Sequence, residues 1–136
     1  MTLSELNQHF NLLRKLAAAE EMLQSLQSKI LTGPKLDGMP HGSGYSDRTG
    51  NFAADMADLE ARIAYYKQQV KESAVTVDAF TNAVESERTR FLLRLRFLYG
   101  LAWCEVSYYA GNCTEEAARQ LCYRYLRGET ARKKAQ

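Results

Sequence analysis

Residues 87–127 read ERTRFLLRLRFLYGLAWCEVSYYAGNCTEEAARQLCYRYLR, and the spacing of apolar side chains within them decides the fold. In ERTRFLLRLRFLY, a helical period places Phe91, Leu92, Leu95 and Leu98 toward a core, leaving Arg88, Arg90, Arg94 and Arg96 on the other side. Gly100 stops this helix. LAWCEVSYYA, residues 101–110, predicts a second short helix with Trp103, Val106 and Ala110 inward and small Ser107 where crossing helices approach. Gly111 and Asn112 both tolerate positive φ and turn the chain. Thr114 is a good N-cap for a third helix, Glu115 to Leu126. There Ala118, Leu121, Cys122 and Tyr125 form the core stripe, while Glu116, Arg119, Gln120, Tyr123, Arg124 and Arg127 point outward. A short helix, a glycine turn and an Arg- and Gln-bearing helix make a helix-turn-helix with Leu95, Trp103, Val106, Gly111, Ala118 and Leu121 as its core.

Upstream lie two longer helical patterns. Leu12, Leu16, Ala19, Leu23, Leu26 and Ile30 recur at steps of three and four, as do Phe52, Met56, Leu59, Ile63, Tyr66, Val70, Ser73, Val77, Phe80 and Val84, with Ser73 the polar interruption. Between them TGPKLDGMPHGSGYSDRTG, residues 32–50, holds both prolines and five of the eight glycines and predicts a loop. Asp55, Asp58 and Glu60 suit the start of the second helix. The simplest arrangement is an antiparallel, coiled-coil-like hairpin. The expected fold is therefore all-α: a hairpin over 1–86 with loop 32–50, a three-helix helix-turn-helix unit over 87–130, and a basic tail at 131–136. Two helices leave apolar flanks uncovered, so residues 1–86 are expected to form a homo-oligomer or bind a partner.

Charge separates the same regions. The 136 residues carry a net +2, but residues 1–87 hold 8 Lys/Arg against 12 Asp/Glu and residues 88–136 hold 10 against 4. A basic C-terminal third implies a polyanion partner, double-stranded DNA given the helix-turn-helix. On the third helix, Arg119 has the donor geometry for guanine and Gln120 for adenine, with Tyr123 and Glu116 (an acceptor for cytosine) as further base-edge candidates. Arg94, Arg96, Arg124, Arg127, Arg132, Lys133 and Lys134 are the candidates for phosphate contacts.

Other classes find little support. No nucleophile–base pair or phosphate-cradling glycine motif is visible, so an enzyme is not expected. Cys104, Cys113 and Cys122 recur every nine residues without the paired spacing zinc requires, and neither metal nor cofactor is expected; small apolar core residues are the simpler reading. No apolar run approaches the ~20 residues of a membrane span, and the N-terminus has no signal-peptide pattern, which implies a cytoplasmic protein.

Residues 92–127 also resemble region four of bacterial sigma factors in the Leu-Arg-x-Arg-aromatic run, Gly100, the helix with Trp103 and Val106, Gly111 and the Arg-bearing helix. Residues 39–50, MPHGSGYSDRTG, followed by Ala57-Asp58-Leu59-Glu60, resemble the ArpU and RinA type of phage late-gene regulators. The likeness covers about residues 30–127. It implies a sigma-like transcriptional regulator of a phage or prophage in a bacterial host cell, acting on late genes with RNA polymerase as a further partner. Arg48 stands where that family often has Pro, and Ala102 where a capping Ser or Thr is usual, which should weaken its helix by ~1 kcal/mol. The alternatives are a small terminase-type DNA-packaging protein, which also joins a helix-turn-helix to helical oligomerisation, and a coiled-coil interaction protein that binds no DNA.

Overall fold

The computed structural model describes residues 1–32 and 44–136, without the side chains of 30–32, 44–51, 130 and 133. Every regular element in it is helical: α1 (Leu3–Thr32), α2 (Gly44–Asn82), α3 (Glu87–Leu93), a π-helical turn (Arg94–Leu98), α4 (Trp103–Ala110) and α5 (Glu115–Ala135). The chain groups into two compact units, one of residues 15–68 and one of residues 1–14 with 69–136.

In the 15–68 unit, α1 and α2 are packed together along the expected seams. Ala19, Leu59 and Ile63 are buried, with Leu16, Leu23, Leu26 and Tyr66 packed against them. The positions between are exposed, which is what steps of three and four produce on a helix with one apolar stripe. Lys67 and Glu20 pair at 3.7 Å on the surface.

The other unit has a rounder core. Leu6, Phe10, Val77, Val84, Leu92, Leu93, Leu95, Phe97, Trp103, Val106, Ala118, Cys122 and Leu126 are buried together. The sequence reading began the first seam at Leu12, yet Leu6, His9 and Phe10, at i, i+3 and i+4, are buried one turn earlier. Thr2 and Glu5 close a capping box there: the Glu5 carboxylate accepts from Thr2 N–H and the Thr2 hydroxyl accepts from Glu5 N–H. Ser73, the expected interruption, is explained by a partner. His9 Nδ1 lies 2.6 Å from Ser73 Oγ, whose hydroxyl reaches the Gln69 carbonyl at 2.9 Å. The serine therefore donates to the backbone and accepts from Nδ1–H, which satisfies two polar groups in one seam position.

Several expectations need correction. Residues 44–50 belong to α2 rather than to the loop, and residues 33–43, with Pro34, Pro40 and the Met-Pro part of the expected loop, lie outside the described residues. Gly44 and Gly50 each weaken a helix by about 1 kcal/mol relative to alanine, but extending a formed helix is far easier than nucleating one. Asp55, Asp58 and Glu60 accordingly sit well inside α2, not at its first turn. The tail is no separate segment, since α5 continues to Ala135.

The first helix of the C-terminal segment departs most. It changes to π geometry at Arg94, where Tyr99 N–H donates to the Arg94 carbonyl at 3.1 Å. The wider turn retards the phase of the side chains and brings Phe97 onto the core side with Leu93. Both are fully buried, whereas Phe91, expected inside, is 47% exposed and Leu98 is half-buried. Gly100 then leaves with φ +69°, a conformation that favours glycine, and a Cβ there would meet Leu13 Cδ1 at 3.3 Å, close enough that the leucine would have to shift.

α4 begins at Trp103, not Leu101. Ala102 offers no side-chain cap, but its N–H donates to Glu105 Oε2 at 3.0 Å, half of a capping box. Gly111 is exposed with φ +62° and is the turn rather than part of the core. Asn112 follows with φ +30°. Ser107 is half-buried and donates to the Cys104 carbonyl at 2.8 Å. Thr114 caps α5 as expected, its hydroxyl accepting from Ala117 N–H at 3.2 Å. Along α5 the buried stripe is Ala118, Cys122 and Leu126, with Leu121 and Tyr125 only half-buried. Among the cysteines only Cys122 behaves as a core residue; Cys113 is half-buried and Cys104 exposed, and all three are free.

Candidate nucleic-acid interface

α5 carries its polar side chains on the face opposite Ala118, Cys122 and Leu126. Glu116, Arg119, Gln120, Tyr123, Arg124 and Arg127 line one open groove of about 480 Å³. Five of these six were expected to touch DNA through bases or phosphates from spacing alone, and the sixth, Glu116, as a weaker acceptor. The stripe that buries Ala118 every fourth residue forces the others outward.

Within this face Glu116, Arg119 and Gln120 are bonded together. Glu116 accepts a hydrogen bond from Arg119 through Oε2 and one from Gln120 Nε2 through Oε1 at 3.2 Å. The bonds from Arg119 and then Gln120 hold the Glu116 carboxyl below its ordinary range, and the same carboxylate raises the Arg119 guanidinium. Arg124 and Arg127 are exposed beyond this cluster. Arg132, 81% exposed, pairs loosely with Glu129 at 3.4 Å, and Lys134 is exposed. The side chain of Lys133 lies outside the described residues. Tyr123 differs from its neighbours: its ring meets Trp103 edge-on at 5.9 Å, which anchors it to α4.

Arg94 and Arg96 are not part of this face. Arg94 Nη1 donates to Asp78 Oδ1 at 2.8 Å, to Asn82 Oδ1 at 2.8 Å and to Thr81 Oγ1 at 3.2 Å, joining the end of α2 to the π turn. The Arg96 guanidinium lies 3.7 Å from the Phe10 ring centroid and 4.8 Å from that of Trp103. Its Nη1 donates to the Leu101 carbonyl at 2.9 Å. Burial lowers its pKa first, with Arg14 and Arg119 adding repulsion and Tyr123 opposing. A guanidinium between two aromatic faces, bonded to a backbone carbonyl, ties α1 to the C-terminal helices. The signal missed in the sequence was Phe10, an aromatic residue far away that no local period connects with Arg96.

No group of three or more His, Cys, Asp or Glu among the described residues is placed to hold a metal ion. Burial pushes the Cys122 thiol up to about 12, with Cys113 adding to the effect and Arg96 opposing it, so this sulfur is an inert core atom. No described helix is long and apolar enough to cross a membrane. No family model, curated protein or solved structure matches this chain.

Proposed function

We propose that this protein is a DNA-binding transcriptional regulator in which α5 is the recognition helix. The observation that carries the reading is the outward face of α5, where Arg119, Gln120, Arg124 and Arg127 line one groove. Arg119 and Gln120, in the first turns after the Thr114 cap, are the base readers; Arg124 and Arg127, further along, meet phosphates. Tyr123 supports Trp103 and reaches DNA only with its rim. Arg94 and Arg96 serve the protein core and drop out of the phosphate set, while Arg132, Lys133 and Lys134 remain at the end of α5.

The sigma-like resemblance of residues 92–127 and the Met-Pro-containing segment 39–50 support a phage or prophage late-gene regulator of the ArpU and RinA type. In that reading α1 and α2 form an antiparallel hairpin that pairs two copies or meets RNA polymerase. The exposed apolar side chains Met22 and Tyr65 in residues 15–68 favour association of copies.

The test is a binding titration on a selected duplex and a scrambled one across a salt series. Arg119→Ala should weaken the selected duplex by ~1–3 kcal/mol and relax base preference beneath it. Arg127→Ala should weaken both duplexes alike and flatten the salt slope by about one unit. An Arg119→Ala protein that binds both duplexes like the wild type removes α5 as the reading helix.

A further inference from the structure

An acid on a face proposed to meet phosphates is a liability unless it has a task. Glu116 is such an acid: its side chain is 58% exposed, and its two carboxylate oxygens each hold one of the two proposed base readers. Glu115, its neighbour at the start of α5, is exposed too, and its effect on Arg119 is only a favourable charge at a distance. Either glutamate would complement the helix N-terminus. Only Glu116 is bonded to Arg119 and Gln120.

This arrangement sets conditions on what can release those side chains. A phosphate can replace the carboxylate as a partner for Arg119, but it then leaves Glu116 without donors and close to the negative backbone. A guanine offers O6 and N7 to Arg119 as a two-pronged acceptor, and the amino group of a nearby cytosine donates to the freed carboxylate. Arg119 and the carboxylate are then both compensated. An A·T pair also presents a donor, adenine N6, but its acceptors N7 and O4 lie on different bases, so Arg119 loses the two-pronged acceptor that guanine provides.

We propose that Glu116 is the specificity gate of the α5 face, withholding Arg119 and Gln120 from phosphates and favouring duplexes with G·C pairs beneath residues 116–120. This inference rests on the reading of α5 as a DNA-recognition helix. Glu116 acts as a positioning residue for Arg119 and Gln120 and as a direct acceptor once they have left it.

The experiment compares the full-length wild type with Glu116→Gln, Glu116→Ala and Glu115→Gln. Each is titrated with a random-sequence duplex over a salt series and subjected to one round of selection from a random duplex library. All four should give matching circular-dichroism spectra, because both glutamates are exposed. On the random duplex at ~0.1 M salt, Glu116→Gln and Glu116→Ala should bind about tenfold tighter, with a slope steeper by about 0.9, as Arg119 gains a phosphate. Their G·C enrichment in the selected pool should fall. Glu115→Gln should keep the wild-type enrichment while gaining a smaller, general increase in affinity. If the Glu115 and Glu116 variants behave alike, the effect is charge only and the gate is refuted while DNA binding stands. If the wild type binds no duplex in a salt-dependent way, the DNA-binding reading falls and the gate falls with it.

Discussion

Residues 15–68 and the unit of residues 1–14 with 69–136 bury their apolar side chains in different ways. The former relies on a thin seam in which three residues, Ala19, Leu59 and Ile63, are buried and the rest only half so. The latter surrounds Leu92, Leu93, Phe97 and Val106, all essentially inaccessible, with side chains from α1, α2, α4 and α5. Two helices can shield only one stripe of each other, whereas five segments around a centre shield whole residues. The lesson concerns where stability and function lie. The centred core is the part that holds α5, as the proposed reading role of its outer face would require.

This contrast can be broken most sharply at Phe97. Phe97→Ala leaves a cavity among Leu93, Trp103 and their neighbours and should destabilise the protein by about 3–5 kcal/mol in denaturant titration. A loss near 1 kcal/mol would mean that the π turn repacks and that the centred core is less unique than its burial implies.

Ile63→Ala tests the thin seam in the same assay. Large-to-small changes at buried aliphatic sites range from about 2 to 5 kcal/mol, and a seam two helices wide should fall at the low end, near 2. Equal losses for Ile63→Ala and Phe97→Ala would erase the difference between the regions. A loss confined to protection of α1 and α2 amides in hydrogen exchange, with α5 unchanged, would sharpen it into two separately opening parts.

The smallest effect belongs to His9, a buried titratable side chain in the unit of residues 1–14 with 69–136. His9 is 2% exposed, its Nε2 has no partner among the described protein groups, and burial lowers its pKa below 6.5. The unfolded chain therefore takes up a proton near pH 6.5 while the folded protein resists it. His9 favours folding fully above that pH, and its contribution is lost as pH falls below 6.5 toward the folded value, with a slope of at most ~1.4 kcal/mol per pH unit. His9→Gln, which keeps a donor for Ser73, should lower melting temperature less steeply between pH 7 and pH 5. Parallel curves for both proteins would place the acid sensitivity elsewhere.

The sequence by itself determined the helical class, the buried seam residues Ala19, Leu59 and Ile63, Trp103 and Val106 on α4, Ala118 and Cys122 on α5, the glycine turn and the outward set on α5. These follow from local periodicity and caps: a pair such as Ala118 and Cys122, one turn apart, has one way to be buried in a helix, and its complement is then exposed. Thr114, Gly100 and Gly111 were legible for the same reason, since capping and positive φ are demands a residue meets within a few neighbours. Tertiary structure alone decided the rest. Arg96 looked like a solvated arginine until Phe10 and Trp103 met it from either side. Arg94 had no visible partner until the end of α2 brought Asp78 and Asn82 within 2.8 Å. Ser73 was a flaw until His9, 64 residues away, made it a partner. In the π turn, packing overrode the 3.6-residue period and exchanged Phe91 for Phe97 in the core. A charged or polar side chain has the same local pattern whether water or a distant aromatic ring receives it, so only long-range packing distinguishes the arginines that hold this fold together from those that face outward on α5.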